Sequence, residues 1–319
     1  MDMQKFCFGV DIGGTSIKMG LFADDGTLVE KWSIPTDLAE NGAHILSDIA
    51  GSIQEKITQK GMALSSVLGV GIGVPGPVDE NGVVHKCVNL GWGTTDVKQK
   101  MEALLQLPAF VGNDANVAAL GEMFCGGGKG FSNLVMVTLG TGVGGGIILN
   151  GKIVHGSNGA GGEIGHLHMR DNEPEPCGCG NHGCLEQYAS ATGIVRLLKR
   201  YLAAHPEAPE VLASPLSTAQ APSAKQIFDE AKQQDALAQK LVEEVCDLLG
   251  KALANISCVV DPQVFVIGGG VSQAGDILLS GIQAAYRKYA FHAAREASFR
   301  LAELGNDAGI YGCAKMVLE

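Results

Sequence analysis

The sequence predicts an α/β protein made of two similar halves around a central cleft. Short apolar strands alternate with helix-length segments along the 319 residues, which is typical of α/β folds with mixed sheets. A unit of strand, glycine turn, strand and hairpin near the N-terminus recurs later in the chain, which indicates an internal duplication. With 46% hydrophobic residues, the chain can bury the cores of two moderate domains.

The N-terminal segment predicts consecutive antiparallel strands. In KFCFGVDIGGTSIKMGLFADDGTLVEKWSIPT, apolar side chains alternate at Phe6, Phe8 and Val10. Turn residues at 13–14 and 24–26 separate this strand from the next two.

Helical and strand patterns then alternate to the end of the chain. Before residue 134 they are a helix at 43–60, a strand in VLGVGIGVPGPV, a helix in DVKQKMEALLQL, and a strand entering a helix in PAFVGNDANVAALGEMF. After residue 222 they are two helices with Ser223 and Asp235 as N-caps, a strand in QVFVIGGGVS, a helix near 274–290, a strand near 298–304 and a helix near 308–317. The Pro/Ala/Ser-rich residues 206–222 predict a surface loop.

The internal repeat begins at residue 134. Aligning VDIGGTSIKMGLFADDGTLV with VTLGTGVGGGIILNGKIV superimposes the glycine turns and the hairpin turns within a slip of two residues. We therefore expect a small domain at residues 1–118, a larger one at 119–304, and a C-terminal helix at about 305–319 that packs back on the first. A cleft between two such halves is a common place for ligands.

Composition and charge exclude several classes of protein. The net charge of -11 and the lack of any Lys/Arg block argue against nucleic-acid binding. The N-terminus carries no secretory pattern, and no apolar run is long enough to span a bilayer, so we expect a cytoplasmic protein without a membrane partner. Six of the nine cysteines stand singly, mostly as buried thiols, while three form one cluster.

Two glycine turns, DIGGTSIK and LGTGVGGG, have the character of phosphate sites. Each joins two strands, so neither is a P-loop or a dinucleotide fingerprint, which lead into a helix. Glycines let the backbone approach a phosphate, successive N–H groups form an anion nest, and a threonine adds a donor. Asp11, before the first turn, is placed to hold Mg²⁺ through water. The sequence leaves the direction of the Lys18 side chain open.

The clustered cysteines predict a metal site. Cys177, Cys179 and Cys184 place three thiolates in one loop, and His166 lies eleven residues before the first of them. Three sulfurs and one imidazole are the ligands of a closed tetrahedral zinc site, which leaves no open position for chemistry. We therefore expect a structural zinc, with His168 and His182 as alternatives for the fourth ligand.

Together these motifs resemble a known family. DIGGT, LGTGVGGG and the VIGGG strand are similar to the phosphate and adenosine elements of the actin-like ATPases, which have a duplicated, ribonuclease H-like fold. GGEIGH, CGCGNHGCLE and VGNDAN resemble specifically the ROK family (repressors, open reading frames and kinases), from about residue 6 to the C-terminus. The resemblance implies an ATP-dependent hexose kinase, with glucose as the expected substrate, that forms a dimer or tetramer.

The resemblance also implies roles for individual residues. Taken alone, Asn113 and Asp114 favour a helix N-cap, whereas the family places the catalytic base at Asp114. The implied substrate-binding residues are Gly76, Asn113, Asp114, Glu163, His166 and Glu186. The implied ATP-binding residues are Asp11, Gly13, Gly14, Thr15, Thr141, Gly142, Gly144 and Gly269, and the implied zinc ligands are His166, Cys177, Cys179 and Cys184.

Several alternatives stay open at this point. The same hydroxyl-binding set suits mannose, N-acetylmannosamine, N-acetylglucosamine or fructose, and the phosphoryl donor could be polyphosphate or another nucleotide. A non-catalytic sugar sensor is the other ROK branch, but only ten residues precede Asp11, too few for a helix-turn-helix. An actin-like filament ATPase would not need the cysteine loop. His182 stands where the family often has arginine, with no predicted effect.

Overall fold

The computed structural model describes residues 4–319. Within that range the strands are β1 (Phe6–Ile12), β2 (Ser16–Ala23), β3 (Leu28–Pro35), β4 (Val67–Val74), β5 (Val83–Val84), β6 (Thr95–Asp96), β7 (Ala109–Asn113), β8 (Leu134–Leu139), β9 (Val143–Leu149), β10 (Lys152–Ile153), β11 (Val264–Gly268) and β12 (Ser298–Leu301). The α-helices in the same range are α1 (Ile45–Gln59), α2 (Val97–Leu105), α3 (Asp114–Cys125), α4 (Glu186–Ala189), α5 (Ala191–Ala204), α6 (Pro209–Ala213), α7 (Ala224–Lys232), α8 (Ala236–Val260), α9 (Asp276–Tyr289) and α10 (Ala308–Leu318).

Two five-stranded sheets repeat one strand order. The first is β3-β2-β1-β4-β7 and the second is β10-β9-β8-β11-β12. In the first, β1, β2 and β3 are antiparallel neighbours, and β4 runs parallel to both β1 and β7. In the second, β9 and β10 are antiparallel, and β11 runs parallel to both β8 and β12. The matching order confirms the duplicated fold that the two glycine turns predicted.

The chain groups into two compact units. Unit 1 comprises the chain up to Ser132, together with Gly146–Gly162 and Leu304–Glu319. Unit 2 comprises Asn133–Gly145 and Glu163–Glu303. The C-terminal helix α10 is therefore part of unit 1, where it packs on α3, β1 and β4.

In unit 1, helices cover the sheet at very close range. Helix α1 buries Ile45, Ile49 and Ile53, whose spacing of four residues presents one apolar stripe to the core. On α10, backbone carbonyls lie so close to β1 and β4 that a Cβ at Gly9 or Gly71 would overlap them. Glycine in these two strands thus lets the last helix lie directly on the sheet.

Helices α3 and α10 also cross with no side chain between them. A Cβ at Gly312 would overlap the carbonyl oxygen of Val117, and one at Gly121 would overlap that of Ala308. Because α3 begins at Asp114, this crossing fixes the helix that carries the predicted base.

In unit 2, the long helix α8 forms the centre of the helical layer, packing on α7 and α9. Ser223 and Asp235 cap α7 and α8 as predicted, each side chain accepting a backbone N–H three residues on. The predicted loop at 206–222 is wrong in part, because it contains α6, in which Pro209 occupies the first helical position where its missing N–H costs nothing. Among the described residues, no helix is both long and apolar enough to cross a membrane.

The helix crossing in unit 1 gives a testable prediction. We expect Gly312→Ala to lower the free energy of unfolding by about 1–3 kcal/mol, because the added methyl forces two backbones apart. Gly51→Ala is the control: Gly51 lies within α1 with open space around it, so alanine should raise stability by about 0.5–1 kcal/mol. Urea unfolding measures both, and equal stabilities for the two variants would contradict the described crossing.

Candidate functional site

The first glycine turn, Gly13–Thr15, joins β1 to β2 and presents N–H groups outward. Thr36 holds two of its carbonyls, since the Thr36 hydroxyl donates to Gly13 O at 2.7 Å and the Thr36 N–H donates to Thr15 O at 3.1 Å. Within residues 4–319, the N–H groups of Gly14 and Thr15 donate to no protein acceptor, and both residues are exposed. Two free successive donors of this kind bind anions such as phosphate.

Asp11 lies at the end of β1, just before this turn. Burial raises the pKa of its carboxyl to about 6; Lys18 opposes that shift and the carboxylate of Asp114 adds to it. Lys18 faces Asp11 across the hairpin, but its ammonium donates to the carbonyl of Asn306 at 2.8 Å. A Cβ at Gly309 would lie 2.5 Å from the Asp11 carboxyl carbon, so glycine at 309 makes room for this side chain.

Asn113 and Asp114 form the junction between β7 and α3. Asn113 is the helix N-cap, because its side-chain oxygen accepts from the N–H groups of Ala115 and Asn116 at 3.1 and 3.2 Å. Its amide nitrogen donates to Gly76 O at 3.1 Å and to Asp114 Oδ1 at 3.0 Å.

The Asn113 side chain therefore fills its hydrogen-bonding capacity within the protein while orienting its neighbour. Asp114 Oδ1 accepts a second bond from the Ala115 N–H at 2.8 Å, so two donors fix the plane of this carboxylate. Gly76 has φ of 98°, a conformation that favours glycine, and this aims its carbonyl at Asn113. The N-cap predicted from the residues alone is thus present, and it leaves a role for Asp114 as a base open.

The second glycine turn, Gly140–Gly142, joins β8 to β9 in unit 2 and repeats the pattern of the first. Ala191 N–H donates to Gly140 O at 2.8 Å, and the Thr192 hydroxyl donates to Thr141 O at 2.9 Å. In the part of the chain that the structure describes, the N–H groups of Thr141 and Gly142 donate to no protein acceptor. Gly144, predicted to bind phosphate, lies within β9, two residues beyond the turn.

A cavity of about 690 Å³ opens beside the second glycine turn. Its walls include Gly140, Thr141, Ala191, Phe228, Gly270 and Val271. Gly269, with φ of 83°, presses on the backbone of Leu139 at the end of β8, so a side chain there would collide with it. The start of α7 forms one wall of the cavity, which the sequence does not predict because the Ser223 pattern indicates only an N-cap. This volume suits a nucleoside.

The predicted zinc ligands meet in one His/Cys cluster, formed by His166, Cys177, Cys179 and Cys184, whose donor atoms all lie within 4.8 Å of one another. Cys177 Sγ is 3.7 Å from His166 Nδ1, and the sulfurs of Cys179 and Cys184 are also 3.7 Å apart. A tetrahedral zinc with Zn–S bonds of ~2.3 Å separates its sulfurs by about 3.8 Å. The donor set and its spacing therefore fit zinc.

The two alternative histidines lie outside this cluster. His168 bonds to the His182 carbonyl and to Asp171, both at 2.9 Å, and His182 bonds to the Glu173 carbonyl at 2.7 Å. Glu173 itself is buried and paired with Arg200 at 2.7 Å, which lowers the pKa of this carboxyl to about 2. These contacts tie the loop together independently of the cysteines.

Of the predicted sugar contacts, His166 belongs to the His/Cys cluster, and Glu163 and Glu186 lie next to it. His166 turns Nδ1 toward Cys177 and Nε2 toward Glu163, whose carboxylate is 3.9 Å away and about half exposed. Glu186 begins α4 and reaches both the cluster and the second glycine turn: its Oε2 accepts from Val143 N–H at 3.0 Å, and its Oε1 lies 3.7 Å from Cys177 Sγ. The sequence did not predict this link, because it joins residues 43 positions apart.

Comparison with known proteins identifies the family. The model of the ROK family matches residues 7–319. A glucokinase from Halalkalibacterium halodurans is 44% identical over 311 residues, covering 97% of this chain and 94% of the relative, and one from Streptomyces coelicolor is 37% identical over 317 residues, covering 98% and 97%. A solved ROK glucokinase from Streptomyces griseus, in complex with glucose and AMPPNP, is 34% identical, covers 98% of both chains and superimposes with a TM-score of 0.71. The chain therefore belongs to the ROK family.

Proposed function

We propose that this chain is an ATP-dependent glucokinase, which transfers the γ-phosphoryl group of ATP to the 6-hydroxyl of glucose. The observation that carries the proposal is a helix-start carboxylate, Asp114, that two donors orient, in a chain with two glycine turns whose free N–H groups suit phosphates. The relatives supply the substrates, since two are named glucokinase and the S. griseus enzyme was solved with glucose and AMPPNP.

In this mechanism Asp114 acts as the general base. The carboxylate accepts the proton of the glucose 6-hydroxyl while the hydroxyl oxygen attacks the γ-phosphorus, and the bond from that phosphorus to the bridging oxygen of ADP breaks. The amide of Asn113 donates to Asp114 Oδ1 and holds the orientation of the carboxylate. The carboxylate therefore needs little reorientation on the way to the transition state. Gly76, Glu163, His166 and Glu186 bind sugar hydroxyls in this proposal, and Asn113 does so by exchanging its bond to the Gly76 carbonyl for one to the sugar.

The proposed phosphate donors are the N–H groups of Gly14 and Thr15 in the first turn and those of Thr141 and Gly142 in the second, with Gly13 and Gly144 shaping the two turns. The adenosine is placed in the cavity next to Gly269. Asp11 is the residue that would hold Mg²⁺, through water, and its partly buried carboxyl beside a phosphate turn fits that role. Bound there, Mg²⁺ would neutralise charge on the β- and γ-phosphate oxygens.

The His/Cys cluster would hold a structural zinc that gives the loop its shape and keeps His166 bound through Nδ1. The Nε2 atom then carries the ring proton and is a donor for a sugar oxygen. We further expect a cytoplasmic homo-oligomer, dimer or tetramer, in line with the family resemblance.

A coupled assay tests the function. We expect the purified protein to release ADP when it is given ATP and glucose. It should act more slowly on mannose, fructose and the N-acetylated hexosamines. GTP and polyphosphate are tested in the same assay as alternative phosphoryl donors. Sugar binding without ADP release would favour a sensor, and ATP hydrolysis that needs no hexose would favour a filament-type ATPase.

The matched variant for this assay is Asp114→Asn. Loss of the base should lower kcat by about 10²–10⁴-fold, while glucose and AMPPNP affinities stay near those of the wild type, because asparagine keeps the oxygen that accepts from Ala115. A variant with normal turnover would remove Asp114 from the mechanism.

Metal analysis tests the His/Cys cluster. We expect about one zinc per chain by mass spectrometry of the native protein, and we expect Cys177→Ser and Cys184→Ser to lose it and to melt at lower temperature, because metal binding is coupled to folding of the loop. His182→Ala is the control, since His182 bonds to the Glu173 carbonyl and not to the cluster, and should keep its metal. Zinc in both cysteine variants would contradict this assignment.

Asp11 gives a prediction on stability and pH. Its pKa is raised from 3.8 to about 6, so the folded protein holds this proton more tightly than the unfolded chain, and stability falls as the pH rises from about 4 through 6. At pH 7, without Mg²⁺, Asp11→Asn should therefore raise the free energy of unfolding by about 1–3 kcal/mol, and this gain should vanish near pH 4.

The same variant should lose most of its activity, because it lacks the proposed ligand of the Mg²⁺ hydration shell. Urea titrations at the two pH values provide the measurement, and equal stability of both proteins at pH 7 would show that burial does not strain this carboxylate.

A further inference from the structure

We propose that Glu186 and Thr192 are positioning residues for the nucleotide, because they hold the second glycine turn in the shape that leaves its N–H groups free. This inference rests on the proposed function and extends it: it gives Glu186 a task toward ATP in addition to its proposed contact with the sugar. All of the residues concerned lie in unit 2.

Glu186 acts on the N–H side of the turn. Its Oε2 accepts from Val143 N–H at 3.0 Å, which is the first N–H after the turn. Gly142 has no side chain, and a Cβ there would overlap this carboxylate, so glycine at 142 makes the approach of Glu186 possible. The bond occupies the N–H of Val143 and so limits the free donors to those of Thr141 and Gly142.

Thr192 acts on the carbonyl side. Its hydroxyl donates to Thr141 O at 2.9 Å, next to the bond from Ala191 N–H to Gly140 O. The carbonyl of Gly140 shares its peptide group with the N–H of Thr141, and that of Thr141 with the N–H of Gly142. Because both carbonyls point toward α5, these two N–H groups must point the other way. Rotation of either peptide would place a carbonyl oxygen where a phosphate oxygen is expected to bind, and the two oxygens would repel each other.

Glu186 has enough acceptor sites to serve the turn and a sugar at once. A carboxylate offers about four lone pairs on two oxygens, and only Oε2 faces Val143, while Oε1 faces the His/Cys cluster. Gly165, one residue before His166, packs on the Val143 carbonyl so closely that a side chain would overlap it. The backbone of Val143 therefore connects the turn to the region of the cluster in two ways: its N–H group bonds to Glu186, and its carbonyl packs against Gly165.

The test is the affinity for AMPPNP in the absence of any sugar, measured by calorimetry, so that sugar contacts cannot contribute. We expect Glu186→Ala and Thr192→Val each to weaken AMPPNP binding by about 3–10-fold, the loss of one hydrogen bond that orders the turn. Glu186→Gln keeps an oxygen for Val143 N–H and should retain AMPPNP affinity within about twofold, even where its affinity for glucose falls.

Glu163→Ala is the matched control. It removes a carboxylate of the same proposed sugar set that lies 3.9 Å from His166 Nε2 and makes no contact with the turn among the described residues. The variant should therefore weaken glucose binding and leave AMPPNP affinity unchanged. Zinc content is measured for every variant. If Glu186→Ala loses zinc, Thr192→Val decides, since Thr192 bonds to Thr141 and Ser190 among the described residues and not to the cluster.

Wild-type AMPPNP affinity in both Glu186→Ala and Thr192→Val would overturn the inference, as would a Glu163→Ala variant that weakens AMPPNP as much as Glu186→Ala. The proposed function fails separately: a wild-type protein that binds AMPPNP but transfers no phosphoryl group to glucose would disprove the kinase and leave the positioning result standing.

Discussion

Each of the two glycine turns depends on the direction in which its peptide groups point. A peptide carries a donor on one side and an acceptor on the other, so engaging the carbonyls of a turn on one side keeps its N–H groups available to an anion on the other. Thr36 engages the carbonyls of Gly13 and Thr15 in the first turn. Ala191 and Thr192 engage those of Gly140 and Thr141 in the second. The same solution thus occurs in both halves of the duplicated fold, built from residues that are unrelated in sequence position.

Much of this arrangement could be predicted because its determinants are local. Alternating apolar residues indicate the strands. Because Cys177, Cys179 and Cys184 lie within eight residues of the chain, one loop can bring their sulfurs together. The clamps on the turns could not be predicted in this way. Thr36 lies 23 residues from Gly13, and Thr192 lies 51 residues from Thr141, so only the folded chain brings each threonine to its carbonyl. Helix α6 was not predicted for a different reason. A proline-rich composition indicates a loop, but a proline at the first helical position is compatible with a helix, as at Pro209.

The His/Cys cluster and the Glu173–Arg200 pair hold one loop by two different means. The cluster gathers soft ligands that suit a single cation, whereas Arg200 pairs with a nearly dry carboxylate that also accepts from the Tyr188 hydroxyl at 2.7 Å. Removing one partner of such a buried pair leaves a charge without compensation. Loop shape therefore relies on side chains from α4 and α5 as well as on the His/Cys cluster.

The bare crossing of α3 and α10 has a consequence for the order of synthesis. The helix that starts with Asp114 rests on Gly312 and its neighbours, which leave the ribosome nearly two hundred residues later. Until residues 308–318 are made, the sheet of unit 1 lacks the cover on which α3 lies. A nascent chain can therefore have both glycine turns translated while the helix that carries Asp114 still lacks its packing partner, so the seating of α3 has to wait until α10 has formed.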